Sequence, residues 1–365
     1  MINYVYRPVF DCTPGDIIKD EIDAVGMTQK ELAERMGVSA KTITMLIKHK
    51  SPITPDYAVS LSRILGYSSD FWLDLEKTHQ ESELRRQENE ELKKYKSFIA
   101  QYRYTELKKE RHVRIAFTVE DKIRELMELF RVGTPAAIPR IQANKMASYR
   151  EMETKTATNE AKFSWLTAGE RIADLAYIES EYDKRLFVET LKFIRATMLD
   201  KPIDGKELKA MCAKAGVALV FLKGFKGLGV FGAAHWYNKR PIIQLTCAYT
   251  YDRFWFYFFH EAAHILAEDN KKGVFISTSN DENDNAEQLA NNQAEHWILP
   301  NFDAQAFASE GLSIDRIQAF AAEHSVHPCI LIGRLKKEGF IQQNHHNKLY
   351  PDVNVKLDAL YEEEG

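Results

Sequence analysis

The sequence predicts a multidomain, mainly helical chain with one small sheet in its second half. Three observations carry this. Residues 13–75 read as short helices punctuated by Gly26, Gly37, Pro52, Pro55 and Gly66. No glycine follows Gly66 until Gly133, and the intervening residues 81–112 are densely charged. Then VALVFLK (217–223), GVFGAAHWY (229–237) and PIIQLTCAY (241–249), rich in branched and aromatic residues, interrupt a helical pattern that resumes at 252. A chain of 365 residues holds two or three domains. The expected boundaries are a helical domain over 1–80, a charged helical linker over 81–115, an α+β domain with a helical N-terminal part over 116–350, and a tail over 351–365.

Composition narrows the function classes. The chain is 45% hydrophobic and 28% charged, with a net charge of −4. It therefore has no global attraction to nucleic acid or anionic lipid, and any DNA contact must be local. Cys12, Cys212, Cys247 and Cys329 are scattered, with no CxxC pair, as expected of unpaired thiols in a reducing compartment. The start lacks a signal-peptide pattern, and the runs VALVFL and FWFYFF are far too short to span a bilayer. A cytoplasmic protein without a membrane partner is expected.

In TQKELAERMGVSAKTITMLIKHK (28–50), Thr28 is placed to cap a helix ending at Met36, with Glu31 as its capping-box partner. Gly37 supplies the corner, and Ser39 caps a second helix over about 40–48. Leu32, Ala33, Met36, Val38, Ile43 and Leu46 form the packed side, the pattern of a helix-turn-helix. Ser39, Ala40, Lys41, Thr44, Met45 and Lys48 then face outward, where a second helix reaches base edges in a major groove. Gln29, Lys48 and Lys50 are better placed for phosphates. Residues 1–80 carry nine Lys/Arg against eleven Asp/Glu, so affinity from one module is modest and a homodimer on operator DNA is expected.

RPVFDCTPGDIIKDEI, this motif, and ITPDYAVSLSRILGYSSDFWLDLEKTH together resemble the HigA-type antitoxin branch of the Xre helix-turn-helix family. The resemblance covers roughly residues 6–80. It implies a five-helix, lambda-repressor-like fold, a dimeric operator-binding repressor, and a toxin as protein partner.

FFHEAAHILAED (258–269) raises the second chemistry. His260 and His264 lie one helical turn apart, so both rings leave the same face. Two such imidazoles can supply a pair of zinc ligands, and Glu261 is placed to accept a proton from a water on the metal. The bland alternative is a core helix carrying two histidines, but burying two imidazoles and a carboxylate without partners is costly. Candidates for a third ligand are Glu268, Asp281, Glu282, Asp284, Glu287, Glu295 and His296. Glu287 is the expected one, because Ala290 and Ala294 share a face with it and let its helix lie close; Glu295 and His296 come two turns too late.

FWFYFFHEAAHIL, EQLANNQAEHWILP and HPCILIGRLKKEGFI occur in the order found in the ImmA/IrrE metallopeptidase family, and the region 165–350 resembles it. The resemblance implies a zincin-like α+β domain with a small sheet, zinc held by His260, His264 and Glu287, Glu261 as general base, and peptide-bond hydrolysis. An extended substrate is expected along the strand 241–249. His235, Tyr237, Tyr249 and Tyr257 are open candidates for an oxyanion donor. GLGVFG (227–232) matches a dinucleotide fingerprint but sits between strands rather than opening a helix, and is discounted. The leading expectation is a DNA-binding regulator or antitoxin fused to a zinc peptidase that cleaves a repressor, a toxin partner or itself. The alternative is a non-enzymatic antitoxin whose C-terminal domain is a scaffold or sensor.

Overall fold

The computed structural model describes residues 13–147, 158–176, 178, 180–247, 249–267, 274–278 and 285–362. The chain divides into two compact units, one ending at Lys94 and the other beginning at Tyr95. Among the described residues no helix is long and apolar enough to cross a membrane.

Among the described residues the first unit holds five helices: α1 (Pro14–Ala24), α2 (Gln29–Met36), α3 (Ala40–Ile47), α4 (Pro55–Leu65) and α5 (Ser69–Lys93). Thr13, Thr28, Ser39, Thr54 and Ser68 each cap the helix that follows. Gly37 ends α2 in the left-handed region at φ 69°, which makes the sharp turn into α3 available at no steric cost. Ile18, Ile22, Leu32, Ala33, Ile43, Leu46, Ala58, Leu61 and Trp72 close a core of their own. Glu31 does not complete a capping box; its carboxylate pairs with Arg35 one turn on, at 2.7 Å.

The second unit opens with α6 (Phe98–Gln101), α7 (Tyr104–Lys109), α8 (Val119–Phe130), α9 (Ile138–Ala147) and α10 (Asn159–Leu175), followed by α11 (Lys184–Met198) and α12 (Gly205–Lys214). The stretch read as a charged connecting helix is thus not one helix. After Lys93 it breaks into α6 and α7, whose Tyr102, Tyr104 and Leu107 are buried instead of solvated. Tyr102 packs edge-on to Phe130 and Phe163, and its hydroxyl donates to Gln142 at 2.7 Å. Aromatic burial here outweighs the charge density that suggests a solvated rod.

A mixed sheet follows: β1 (Ala218–Phe221), β2 (Val230–Tyr237), β3 (Arg240–Leu245) and β4 (Val274–Thr278), in the order β1-β3-β2-β4. β1 runs parallel to β3; β2 is antiparallel to both β3 and β4. Asn238 and Lys239, both at positive φ, make the two-residue hairpin between β2 and β3. The sequence reading missed β4, a short branched run beside an acidic, polar stretch.

The long helix α13 (Tyr251–Leu266) covers one face of the sheet, against Ala234, Ile243 and Leu245. α10 covers the other, where Gly169 leaves room for the Gln244 side chain, whose amide donates to the Trp165 carbonyl at 2.9 Å. α14 (Asn285–Ile298) lies against α13, then come α15 (Ala304–Ser309), α16 (Ile314–Glu323) and α17 (Pro328–Lys337). The residues after Tyr350 run back along β1. Asp358 accepts the N–H of Phe221 and donates its own N–H to the Phe221 carbonyl, both at 2.8 Å, and pairs with Lys209.

Two predictions follow from this packing. Asp358→Ala removes the acceptor of a half-buried strand N–H and is expected to destabilise the second unit by about 1–3 kcal/mol in urea unfolding. His112 is 2% exposed, with no hydrogen-bond partner for either ring nitrogen among the described residues, and burial, aided by Arg111, lowers its pKa to about 4. Its folded pKa lies below the unfolded value of about 6.5, so its contribution is complete above that pH and is lost as pH falls toward 4. His112→Leu is expected to flatten the decline in stability between those limits, measured by urea midpoints across pH.

Candidate functional site

α13 is aromatic on its buried sides: Phe254, Trp255, Phe258 and Phe259 are fully enclosed, and Trp297 of α14 stacks on Phe259. Ala262, Ala263, Ala290 and Ala294 are buried too, which lets α13 and α14 approach closely. This pairing fixes the histidine face. His260 and His264 are each 2% exposed, and their Nε2 atoms stand 3.1 Å apart. Glu287, in the first turn of α14, places Oε2 3.0 Å from His260 Nε2 and Oε1 3.1 Å from His264 Nε2. Among the described residues this is the one cluster of three His, Cys, Asp or Glu side chains arranged to hold a metal ion. A tetrahedral ion with bonds of about 2.0–2.1 Å sets its ligands roughly 3.3–3.4 Å apart. Burial opposes the Glu287 charge, but the two imidazoles outweigh it and bring its pKa down to about 2.

Two of the other third-ligand candidates lie apart from the triad. Glu295 pairs with Arg334 and Lys337. His296 lines the adjoining cavity but is not part of the triad. Glu268, Asp281, Glu282 and Asp284 lie outside the described residues.

Glu261 is fully buried between α13 and β2. A Cβ on Gly232 would sit 2.9 Å from the Glu261 Cγ and Cδ, so the glycine is what makes room for this carboxylate. Gly232 is the last glycine of GLGVFG, and its place in the fold is set by Glu261.

Two oxyanion candidates are removed by the sheet's alternation. His235 and Tyr237 share the β2 face turned away from α13, where His235 approaches Glu170 of α10 at 3.4 Å and Tyr237 accepts from Arg131 at 3.2 Å. Tyr249 is tied to Thr246 and the Phe231 carbonyl; burial first, then Tyr257 and other neighbours including Glu261, keep its hydroxyl protonated. Tyr257 stacks on Phe231 at 4.6 Å and lines a cavity of about 1000 Å³ that opens on His260 and Glu287. β3 is ruled out as a substrate-pairing edge, because β1 and β2 occupy both its sides.

In the first unit, Ser39 caps α3 by accepting the Thr42 N–H at 3.1 Å. Ala40, Lys41 and Lys48 are exposed on α3 or at its end, while Thr44 and Met45 are half-buried. Gln29 is exposed at the start of α2, and Thr44 Oγ1 donates to its Oε1 at 3.4 Å, linking the two helices on the outward side.

Comparison with known proteins places this unit. A helix-turn-helix family model matches residues 18–72. The uncharacterized HTH-type transcriptional regulator YddM of Escherichia coli is 35% identical over 63 residues, covering 17% of this chain and 67% of the relative. Antitoxin HigA-1 of Vibrio cholerae is 37% identical over 71 residues, 19% of this chain and 64% of the relative. Among solved structures, an antidote protein of a plasmid maintenance system from Nostoc punctiforme is 30% identical, covering 23% of this chain and 92% of its own, with a TM-score of 0.23. Pseudomonas aeruginosa antitoxin HigA, solved with the higBA promoter, is 25% identical, covering 22% and 88%, with a TM-score of 0.21. Through its N-terminal unit, the chain belongs to the helix-turn-helix family of transcriptional regulators.

Proposed function

We propose that this chain is an operator-binding regulator of the HigA antitoxin type whose second unit is a zinc-dependent peptidase. The observation that carries the peptidase reading is the buried convergence of His260, His264 and Glu287, at spacings of 3.0–3.1 Å. Three lone-pair donors held this close in a dry site call for a proton or a cation among them, and a metal ion satisfies all three at once. Two imidazole nitrogens and a carboxylate at near-tetrahedral spacing fit zinc, and three protein ligands leave a position open. A zinc ion there supplies Lewis-acid polarisation of a carbonyl and acidifies a water.

The remaining roles belong to the chain. Glu261 is the general base: it follows His260 on α13 and lies against β2, whose Phe231 lines the cavity. It takes the proton from the attacking water and returns it to the leaving amine. Tyr257 is placed at the cavity wall to donate to the carbonyl oxygen as charge develops. The aromatic packing of α13 holds the two ligand rings in place before substrate arrives.

In the first unit, α3 enters the major groove with Ser39, Ala40, Lys41, Thr44, Met45 and Lys48, and Gln29 contacts the backbone. Two copies bind together, because one module carries too little positive charge for tight binding. The target of cleavage is a protein: a repressor, a toxin partner, or the chain itself.

Metal analysis and mass spectrometry test the enzyme. The wild type is expected to carry one zinc per chain, His260→Ala to lose it, and Glu261→Gln to keep it while cleaving at least 100-fold more slowly, as general-base loss implies. Absence of zinc from the wild type would leave only a non-enzymatic regulator. For DNA binding, a site selected from a random duplex library serves as probe. Lys48→Ala is expected to weaken binding and lower the slope of log K against log salt by about 0.9 per lost phosphate contact. An unchanged slope would remove Lys48 from the interface.

A further inference from the structure

The last helix of the first unit, α5, carries buried side chains only near its two ends, at Trp72 and Leu92. Trp72 belongs to the core of the first unit, and the divide between the units falls just after Leu92, at Lys94. Between them, residues 77–91 read KTHQESELRRQENEE. Leu84 is the one large apolar residue in this run, and it is 65% exposed.

Little holds this run in helical form. Glu83 reaches Arg86 at 3.0 Å and Glu90 reaches Lys93 at 2.6 Å, but both pairs face water, and each favours the helix by about twofold. A run this short without a packed face is a marginal helix, so it opens far more often than the helices that build the first core. A peptide cut at the triad has to be open, because a helix keeps its carbonyls and N–H groups bonded to itself. The cavity wall beside His260 is aromatic. Phe256 lies 5.9 Å from the His260 ring, and Tyr257 packs on Phe256 at 5.5 Å and on Phe231 at 4.6 Å. All three are half-buried and line the cavity, a surface that takes an apolar side chain.

We propose that α5, opened over residues 77–91, is the substrate of the second unit, with Leu84 seated on this aromatic wall and the peptide bond beside it cut. Hydrolysis adds water across that bond. The hydroxyl goes to the carbonyl carbon and the proton to the leaving nitrogen, so a new carboxyl end and a new amino end form with no oxidant or reductant. The first core is complete by Trp72, so the cut frees the helix-turn-helix unit from the metal-site unit with its packing intact. The cut itself rests on the peptidase reading; the local opening of α5 does not.

Two measurements on the full chain test this. Hydrogen exchange read by mass spectrometry needs no zinc, and residues 77–91 are expected to exchange about 100-fold faster than α2 and α4. Equal protection would overturn the proposal. The zinc-loaded wild type is then incubated and its intact mass followed. Two fragments are expected, meeting beside Leu84 and summing to the chain plus one water, while Glu261→Gln stays whole. Leu84→Asp, at an exposed position, is expected to slow the cut about tenfold or more. Gln87→Gly, which weakens the helix without touching Leu84, is expected to speed it about threefold. A cut elsewhere, or an undiminished rate in Leu84→Asp, would overturn the assignment. A wild type that carries zinc and cleaves a random peptide library but leaves its own chain whole would overturn α5 as substrate and leave the peptidase standing. A zinc-loaded protein that cuts neither would sink both readings.

Discussion

The second unit depends on one arrangement that is unfavourable by itself. Two imidazole nitrogens and a carboxylate are pressed to within 3.0–3.1 Å of one another in a site that water barely reaches. Each brings lone pairs, and nothing else in the cluster is positive. A proton or a cation must lie between them. The helices that hold them do not yield: Phe258 and Phe259 anchor α13 in the main core, and paired alanines bring α14 up against it. The core imposes this closeness, and an ion held there as proposed would link metal affinity to fold stability through α13.

The sheet serves the site by where it leaves space. Gly232 on β2 has no side chain, and the Glu261 carboxylate fills that place. The alternation of β2 sends His235 to the opposite face, where it approaches Glu170, which also holds Lys145. Two polar groups therefore meet β2 on opposite faces, Glu261 of α13 over Gly232 and His235 of the strand itself toward α10. Burial opposes charge on both Lys145 and Glu170, and each is the other's compensation.

Much of this was legible in the sequence because the signals were local. Thr28, Gly37 and Ser39 announce the helix-turn-helix through caps and a left-handed corner, each set by one or two residues. The triad was legible because His260 and His264 are tied by helical period, and Ala290 and Ala294 mark the face that carries Glu287. What escaped was set by long-range pairing. Nothing local in PIIQL says that β3 is central, with β1 on one side and β2 on the other. The break after Lys93 was hidden by charge, because Tyr102 and Leu107 find their partners in helices far along the chain. The role of Gly232 was equally invisible, since it depends on a residue 29 positions later.

Among the described residues the two units close their cores separately, and this bears on how the two proposed activities could share one chain. Trp72 and the leucines and isoleucines around it complete the first core without any residue of the second. The second core runs from Phe187 to Ile341 without any residue of the first. A change that empties or fills the triad acts on α13 and α14, and neither belongs to the packing that orients α3. Among the described residues the core around the triad and the core around α3 share no member. Were the proposed cleavage and operator binding coupled, cutting the chain or its partner would be a route that needs no shared core.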